Sequence, residues 1–376
     1  MTPRLGREIP FFPYPQVFLP EEDDLVAIFR DVGRRGAFIL QEDLRRFEGN
    51  LARFLGARRV VGVANATDGL LIALLAAGVE PGTEVIFSSH TMVATAAAIH
   101  FAGATPVPVD CGAEHLMDAR AAETAITSRT SAILPTQLNG RTADMEALGQ
   151  LASRHGLVLI EDAAQALGSR FQGQCAGTLG TAAAISFFPA KLLACLGDGG
   201  AVITNDDGVA ERVALLHDHG RDVHGNITAW GLNSRLDNLQ AAILDYRLRK
   251  YDAVIERRRK LAAAYHAALE GVAEVVRPPA PDADAVHFDV YQNYEMEADR
   301  RDDLRRFLAA RGIGTLLPWG GKAVHQFEAL GLGKWHLSAT ERLFDRVLLL
   351  PMHAWLTDDD VAIVASAVSE FYRGRS

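Results

Sequence analysis

The sequence has few cysteines and no surplus of positive charge. Its 376 residues include only three cysteines, Cys111, Cys175 and Cys195, whose spacing fits neither a disulfide framework nor a zinc site. The formal net charge is −9, and basic residues are scattered or paired with acids, as from Arg300 to Arg306. Nucleic-acid binding is therefore disfavoured, no metal is expected, and a reducing cytoplasm is the expected compartment.

Long hydrophobic runs are also missing. The most apolar long window, Thr91 to Val109, contains His100 and two prolines, so it predicts a buried helix that leads into a strand. The amino-terminal stretch MTPRLGREIPFF lacks the apolar core of a secretion signal. No internal repeat is visible, which excludes solenoid architectures. These absences indicate a folded protein without export or membrane insertion.

Short β-branched runs alternate with helical segments from about Arg58 to Asp206. This alternation is typical of a mostly parallel sheet that helices cover on both faces. Seven strands are expected, with the sequences VVGVAN, EVIFSS, TPVPVD, SAILPT, LVLIEDA, AAAISFF and AVITN. Asp68 and Asp144 each precede an apolar helical segment that ends at a glycine, so we expect each of them to open a helix.

The carboxyl-terminal part of the chain predicts a second, smaller domain. At 376 residues the chain exceeds the length at which one hydrophobic core usually stops growing. The stretch from Asp237 to about Leu269 predicts one long helix that bridges the two domains. Beyond it we expect a strand at 286–297 and helices near Arg301, Thr340 and Asp358. We place the large domain, with an amino-terminal arm, at 1–250 and the small α+β domain at 251–376.

Lys191 is the first candidate for chemistry, because it follows a predicted strand end, where sheets of this kind place ligands. It comes after the strand AAAISFF and before a glycine-rich turn at 197–200, so its amine is expected in a cleft. Desolvation and a neighbouring cationic ring would lower the pKa of the Lys191 amine, which favours attack on an aldehyde. A solvated loop lysine is the alternative.

Groups that suit the rest of an aldehyde cofactor follow other strands. Asp162 comes after the run LVLIE, where its carboxylate can keep a pyridine nitrogen protonated; a helix cap is the alternative. Gln165 can donate to a phenolic oxygen. Thr67 and Asp68 lie between a strand and a helix, where free N–H groups attract a phosphate, and Ser186 can add a hydroxyl. These groups together suit pyridoxal 5′-phosphate (PLP).

Four motifs resemble those of a known family. In chain order they are NATDG at 65–69, EDAAQALGSRFQG from 161, SFFPAK at 186–191 followed by GDGGAVITND, and GLNSRLDNLQAA from 231. They resemble motifs of the DegT/DnrJ/EryC1/StrS sugar aminotransferases, and the resemblance extends from about Gly36 to Phe371. It implies an α/β protein of PLP-dependent transferase fold type I, like aspartate aminotransferase. The implied large domain has a mostly parallel seven-stranded sheet, and the implied small carboxyl-terminal domain is α+β.

The resemblance also implies roles for single residues. Lys191 would hold PLP as a Schiff base, Asp162 would pair with the pyridine nitrogen, and Gln165 would contact the phenolate side. Thr67 and Ser186 would hold the phosphate. The full set expected at the cofactor is Ala66, Thr67, Met92, Asp162, Gln165, Ser186, Lys191 and Asn233.

Subunit and substrate contacts follow from the same resemblance. Asn233 would reach the cofactor phosphate of the neighbouring subunit, which implies a homodimer with shared active sites. Met92 stands where the family commonly has an aromatic residue on the cofactor, and a thioether can still cover a ring face. Arg235 is a candidate for binding a substrate carboxylate or phosphate. Trp319 and His325 are candidates for the sugar pocket, with packing roles as the alternative.

The implied activity is transfer of an amino group from L-glutamate to a nucleotide-linked keto sugar, with pyridoxamine 5′-phosphate as the alternate cofactor form. The turn GDGG resembles that of enzymes acting at C3, so a 3-keto acceptor is expected. The product would be an amino sugar for a polysaccharide, a glycan or an antibiotic. Three alternatives stay open: a sugar dehydratase of the same fold, which typically has histidine in place of the lysine, a non-catalytic PLP-fold regulator, and a dehydrogenase. A dehydrogenase is disfavoured because the dinucleotide fingerprint is missing.

Overall fold

A computed structural model describes residues 8–374 of the chain. Residues 1–7 and 375–376 lie outside the described part. The predicted large domain and the amino-terminal stretch MTPRLGREIPFF therefore begin outside it. The helices are α1 (Glu22–Arg35), α2 (Glu42–Leu55), α3 (Ala66–Ala76), α4 (Val93–Phe101), α5 (Ala119–Thr124), α6 (Met145–His155), α7 (Asp207–His217), α8 (Asn238–Leu248), α9 (Tyr251–Ala268), α10 (Arg301–Ala310), α11 (Ser338–Arg346) and α12 (Asp358–Arg373). The strands are β1 (Arg59–Val63), β2 (Glu84–Ser88), β3 (Thr105–Val109), β4 (Thr130–Leu134), β5 (Val158–Asp162), β6 (Arg170–Phe171), β7 (Gln174–Cys175), β8 (Ala182–Ser186), β9 (Gly200–Thr204), β10 (Val275–Val276), β11 (His287–Phe288), β12 (Tyr294–Ala298) and β13 (Val347–Leu350). Within residues 8–374, no helix combines the length and the apolar character that crossing a membrane requires.

The largest sheet has seven strands in the order β1-β9-β8-β5-β4-β2-β3. Strand β9 runs antiparallel to its two neighbours, β1 and β8, and the other neighbouring strands are parallel. Strands β2 and β9 are buried along their whole length, and β4, β5 and β8 over most of it, as expected where helices cover both faces of a sheet. The seven strands predicted from the sequence are these seven, so the mostly parallel seven-stranded sheet is confirmed.

Two predicted helix starts have different outcomes. Asp144 caps α6 with its side chain, as predicted. The prediction that Asp68 opens a helix is wrong, because α3 begins at Ala66 and its cap is Asn65, whose side chain accepts from Asp68 N at 2.9 Å. The earlier start places the first N–H groups of α3 at the end of β1.

The prediction of a single bridging helix after Asp237 is also wrong. Helix α8 ends at Leu248 and α9 begins at Tyr251, and Lys250 between them has a non-helical conformation with φ −109° and ψ 3°. The physical reason lies in packing: α8 packs against α1 and α2, whereas α9 packs against α12. One straight helix could not bury both apolar faces against such different neighbours.

The strand predicted at 286–297 is interrupted. Strand β11 pairs with β6 in the small sheet β11-β6-β7, whereas β12 lies between β10 and β13. Tyr291, between β11 and β12, has a φ of 53°, a left-handed conformation that breaks a strand. It lies against Gly140, where an added Cβ would come within 2.5 Å of the Tyr291 nitrogen. The helices predicted near Arg301, Thr340 and Asp358 are present as α10, α11 and α12.

The apolar cores follow these elements. One cluster lies under α3, α4 and α7 on one face of the large sheet. Others lie under α2, α6 and α8. A further cluster joins α9, α10, α12, β12 and β13, and it includes Ile9 from the amino-terminal arm. The domain division between residues 250 and 251 stays a prediction.

Candidate active site

Lys191 lies between β8 and β9, in a segment at the edge where the parallel strands end. Asp162 is the last residue of β5, the parallel neighbour of β8, and its register partner is Ala184. Because the two strands end at the same edge, Asp162 and Lys191 come close enough to interact electrostatically. The structure therefore brings together the two residues on which the predicted chemistry depends.

The Lys191 amine is held away from water. Burial lowers its pKa from 10.5 to about 8, while the carboxylate of Asp162 acts in the opposite direction. The desolvation effect is the larger of the two, so an appreciable fraction of the amine is unprotonated near neutral pH. Such an amine can attack an aldehyde and can accept a proton.

Three threonine hydroxyls form a hydrogen-bonded chain that ends on Asp162. Thr95 donates to Oδ2 of Asp162 at 2.7 Å, Thr91 lies 2.8 Å from Thr95, and Thr136 donates to Thr91 at 2.8 Å. Burial is the largest influence on the Asp162 carboxyl and raises its pKa, whereas the bond from Thr95 and the charge of Lys191 lower it. Among residues 8–374, no cationic side chain lies within ion-pair distance of this carboxylate. A buried carboxylate of this kind fits a cationic ring nitrogen.

The sequence reading missed these threonines. Thr91 directly precedes the cap residue of α4 and Thr95 lies in its first turn, whereas Thr136 follows β4, so the three threonines come from two parts of the chain. A signal that could have indicated them is the spacing of Thr91 and Thr95, which places two hydroxyls one turn apart at the start of a helix.

Gln165 is buried, and one end of its amide is held. Its Oε1 accepts from Asn139 N at 2.9 Å and from Nδ2 of Asn293 at 3.4 Å. Asn293 also donates to Oδ1 of Asn139 at 2.7 Å. The Nε2 group of Gln165 has no hydrogen-bond partner in the described part of the chain, so it is available to donate. Asn139 and Asn293, which the sequence did not indicate as site residues, orient this amide.

The start of α3 offers free backbone donors. The first N–H groups of a helix have no acceptor within the helix. Those of Asp68 and Gly69 bond to the side chain and carbonyl of Asn65 at 2.9 and 3.0 Å. Those of Ala66 and Thr67 have no partner among the described residues. Together with the helix dipole they suit an anion such as a phosphate.

Gly200 brings Ser186 next to these donors. In the register of the sheet, Gly200 lies between Ser186 of β8 and the last residue of β1. A Cβ on Gly200 would approach the carbonyl carbon of Asn65 to 2.6 Å and the nitrogen of Ala66 to 2.8 Å. Only glycine allows β9 to pass so close to the start of α3. The GDGG sequence therefore shapes the expected phosphate site in addition to framing Lys191.

Met92 and Asn233 are exposed, as contacts to a ligand or a second subunit require. Met92 directly precedes α4, and 48% of its surface is accessible. Asn233 lies on the loop at 218–233, next to Ser234, whose hydroxyl accepts from Ala64 N at 3.1 Å. Arg235 forms an ion pair with the neighbouring Asp218 at 2.9 Å, so its guanidinium already has a carboxylate partner.

The structure gives Trp319 and His325 packing positions. Trp319 packs against the apolar cluster on the α6 side of the sheet, and its indole N–H is buried without a hydrogen-bond partner. His325 is 2% exposed. Its Nδ1 lies 2.7 Å from the hydroxyl of Ser89, and its Nε2 lies 3.3 Å from a carboxylate oxygen of Glu341. Their contact with a sugar stays a prediction.

Comparison with known proteins finds matches over most of the chain. Residues 21–369 match the DegT/DnrJ/EryC1/StrS aminotransferase family. A pleiotropic regulatory protein of Geobacillus stearothermophilus is 41% identical, over 93% of this chain and 95% of its own. A dTDP-3-amino-3,4,6-trideoxy-alpha-D-glucose transaminase of Streptomyces venezuelae is 41% identical, over 93% of this chain and 92% of its own. The crystal structure of S. venezuelae DesV has a TM-score of 0.92 and 37% identity, covering 97% of this chain and 99% of that one.

Proposed function

Because the chain belongs to the DegT/DnrJ/EryC1/StrS aminotransferase family, we propose that it transfers an amino group from L-glutamate to a nucleotide-linked 3-keto sugar. The protein is a PLP-dependent sugar aminotransferase. The observation that carries the proposal is the buried amine of Lys191, with a pKa near 8, beside the buried carboxylate of Asp162. Such a pair suits a cofactor that has both an aldehyde and a basic ring nitrogen.

The residues at the sheet edge fit PLP group by group. Lys191 would hold the aldehyde carbon through its amine, with loss of the aldehyde oxygen as water. The Asp162 carboxylate would pair with the ring nitrogen, and Nε2 of Gln165 would donate to the phenolic oxygen. The contacts that we propose for the phosphate and the ring face are Ala66, Thr67, Ser186 and Met92.

When bound, PLP supplies an electron sink for the negative charge that forms when an amino acid loses its α-proton. Asp162 maintains the protonated state of the ring nitrogen, and the threonine chain fixes the carboxylate in place. Nζ of Lys191 takes the proton from the α-carbon of the donor. In the second half of the cycle it returns a proton to the sugar carbon that receives the nitrogen. A pKa near 8 allows one amine to act as base and as acid near neutral pH.

We further propose that the protein is a homodimer in which each subunit completes the other's site. The loop at 218–233 exposes large apolar side chains: Val223 is 95% exposed, Ile227 63% and Trp230 97%. Three large apolar side chains exposed on one loop favour a protein contact there. Asn233 ends this loop and is proposed to bind the cofactor phosphate of the neighbouring subunit.

The acceptor is proposed to be a nucleotide sugar that carries its ketone at C3. The S. venezuelae relative is named as the transaminase of a 3-amino sugar. Arg235 is proposed to bind a substrate carboxylate or phosphate, which requires it to exchange its partner Asp218 for the substrate. A half-buried guanidinium offers the bidentate geometry that such anions prefer.

A regulatory role is the second candidate, because the G. stearothermophilus relative is named as a regulatory protein. This chain, however, has the lysine, the carboxylate and the free N–H groups of a catalytic site. A sugar dehydratase is disfavoured because position 191 is lysine and not histidine. Turnover measurements separate these three functions.

We expect the purified, PLP-loaded protein to complete a two-step cycle. L-Glutamate alone should remove the visible absorption band and release 2-oxoglutarate, and a dTDP- or UDP-linked 3-keto sugar should restore the band and yield an amino sugar detectable by mass spectrometry. The matching 4-keto sugars serve as controls and should react at less than about a tenth of that rate. A band that neither glutamate nor glutamine removes would contradict transamination. Recovery with 4-keto sugars alone would contradict the proposed acceptor.

The rate at which cofactor-free protein binds PLP is expected to rise with pH and to reach half of its maximum near pH 8. The amine attacks only when it is unprotonated, and burial places the pKa of Lys191 at about 8. Well above this pH the rate should level off. The rate for a solvated lysine would instead continue to rise up to its ordinary pKa of 10.5. Stopped-flow absorbance from about pH 6 to about pH 10 measures this profile. A rate that still rises about tenfold per pH unit above pH 9 would contradict it.

A further inference from the structure

Gln292 bonds to the backbone on both sides of Lys191. Its Nε2 donates to the carbonyl of Ala190 at 2.8 Å, and its Oε1 accepts from Leu192 N at 3.2 Å. The residue is 7% exposed and lies in the interruption between β11 and β12. A single side-chain amide, which we call the amide clamp, therefore spans the two peptide groups that flank the lysine.

The segment that carries Lys191 depends on such contacts. Residues 187–199 belong to no helix or strand, so their peptide groups lack the regular partners that a ladder provides. Lys191 N donates to Phe188 O at 2.8 Å, which closes a turn but leaves the next peptide groups free. In the described part of the chain, the amide clamp provides the hydrogen-bond partner of Ala190 O and of Leu192 N.

Arg258 of α9 holds the backbone that carries Gln292. Its Nη1 donates to the carbonyl oxygens of Tyr291 and Gln292 at 2.9 Å each, and to that of Met352 at 2.6 Å. Arg258 is 3% exposed, and within residues 8–374 no carboxylate pairs with it. Burial lowers its pKa to about 10, so it remains charged near neutral pH. A buried cation needs all of these carbonyls, and it thereby fixes the turn at Tyr291.

The chemistry of position 292 is specific. A glutamine amide offers one acceptor and two donors at the end of a flexible side chain, whereas an ionised carboxylate only accepts and a thioether donates nothing. The clamp needs a donor for Ala190 O and an acceptor for Leu192 N at once. Among side chains of this length, an amide meets both needs.

We propose that Gln292 is a positioning residue, which holds the backbone at 190–192 so that the Lys191 amine stays in its buried place beside Asp162. The inference rests on the proposed role of Lys191 at the cofactor. Four rotatable bonds separate the lysine backbone from Nζ, so a shifted backbone gives the amine a path to solvent. Misplacement of a reacting group by about 1 Å can lower a rate by about 10²-fold.

The test compares Gln292→Met with Gln240→Met. Methionine keeps the length of glutamine and removes both hydrogen bonds. Gln240 is the matched control because its amide makes the same pair of bonds in the same segment, to the nitrogen and oxygen of Leu196 at 2.9 and 3.2 Å. The two variants therefore lose equal numbers of hydrogen bonds, but only one of them loses bonds beside Lys191.

The first measurement uses cofactor-free protein. An amine-reactive reagent labels Lys191 at a series of pH values, and mass spectrometry of the peptide gives the midpoint, which is expected near 8 for the unaltered chain. Gln292→Met should raise the midpoint by about one unit, because the released amine is better solvated. Gln240→Met should leave it unchanged.

The second measurement uses PLP-loaded protein. Gln292→Met should lower kcat about tenfold with little change in KM, while Gln240→Met should match the unaltered chain. Thermal unfolding verifies that the variants fold. If Gln292→Met does not fold, the same measurements are made on Gln292→Ala. The proposal would be overturned if Gln292→Met left the midpoint of Lys191 labelling unchanged, or if the two substitutions had equal effects. Labelling requires neither donor nor acceptor, so failure of the proposed function appears separately, as an unaltered protein without turnover.

Discussion

Lys191→Ala is expected to lower kcat by at least about 10³-fold while the protein stays folded. The substitution removes both the group that bonds the cofactor and the group that moves the proton. Little stability should be lost, because the amine has no hydrogen-bond partner among the described residues and its desolvation disfavours the charged form. The folded variant should therefore be inactive because it lacks the amine and not because it is unfolded.

Turnover, visible absorption and borohydride trapping measure this outcome. Reduction should attach the cofactor to residue 191 in the unaltered chain, and the variant should lose both this label and the absorption band of the loaded protein. Lys260→Ala is the matched control, because Lys260 is an exposed lysine of α9 that pairs with Glu256 at 2.6 Å. It should keep full activity, since exposed pairs contribute little. Normal turnover by Lys191→Ala would refute the assigned role.

Asp162→Asn is expected to have the second-largest effect, a decrease in kcat of about 10²- to 10⁴-fold. An amide cannot keep the ring nitrogen protonated, so the electron sink weakens, although the amide oxygen can still accept from Thr95. The charge of Asp162 raises the pKa of Lys191, so its removal should move the pKa of that amine below 8. Stability should be retained or improved, because a buried carboxylate without an ion-pair partner is replaced by a neutral group.

The adjacent Glu161 provides a contrast to Asp162. Its carboxylate accepts from the backbone nitrogens of Gly177, Leu179 and Gly180 at 2.7 to 2.9 Å, so it holds a turn and does not face the cofactor edge. Glu161→Gln should lower the melting temperature and leave kcat per folded molecule within about twofold. Equal losses of kcat in the two variants would contradict the assignment, as would an Asp162→Asn protein with unchanged kcat.

Lys191, Asp162 and Gln165 could be indicated from sequence because each sits in a motif at a strand end. Their partners could not. Thr95 and Asn293 belong to segments far along the chain from Asp162 and Gln165. A hydroxyl or an amide in those segments has no local pattern that distinguishes a site residue from a surface residue, so tertiary packing alone reveals its contact.

Gln292 shows the same limit more sharply. The local pattern at 286–297 predicts a continuous strand, in which position 292 would be one more side chain on a sheet. The left-handed Tyr291, held by Gly140 and by Arg258 from α9, breaks that strand and turns the Gln292 amide toward Lys191. The contact depends on three segments at once.

The sequence by itself determined the seven strands of the large sheet, several of the helices and the chemical groups at the strand ends. It could do so because hydrophobic periodicity, capping and β-branched runs act over a few neighbouring residues. Tertiary structure alone decided where elements break, at Lys250 and Tyr291, and which distant groups meet at Lys191. Those outcomes depend on burying apolar faces and pairing buried polar groups across the whole chain, and no local stretch contains that information.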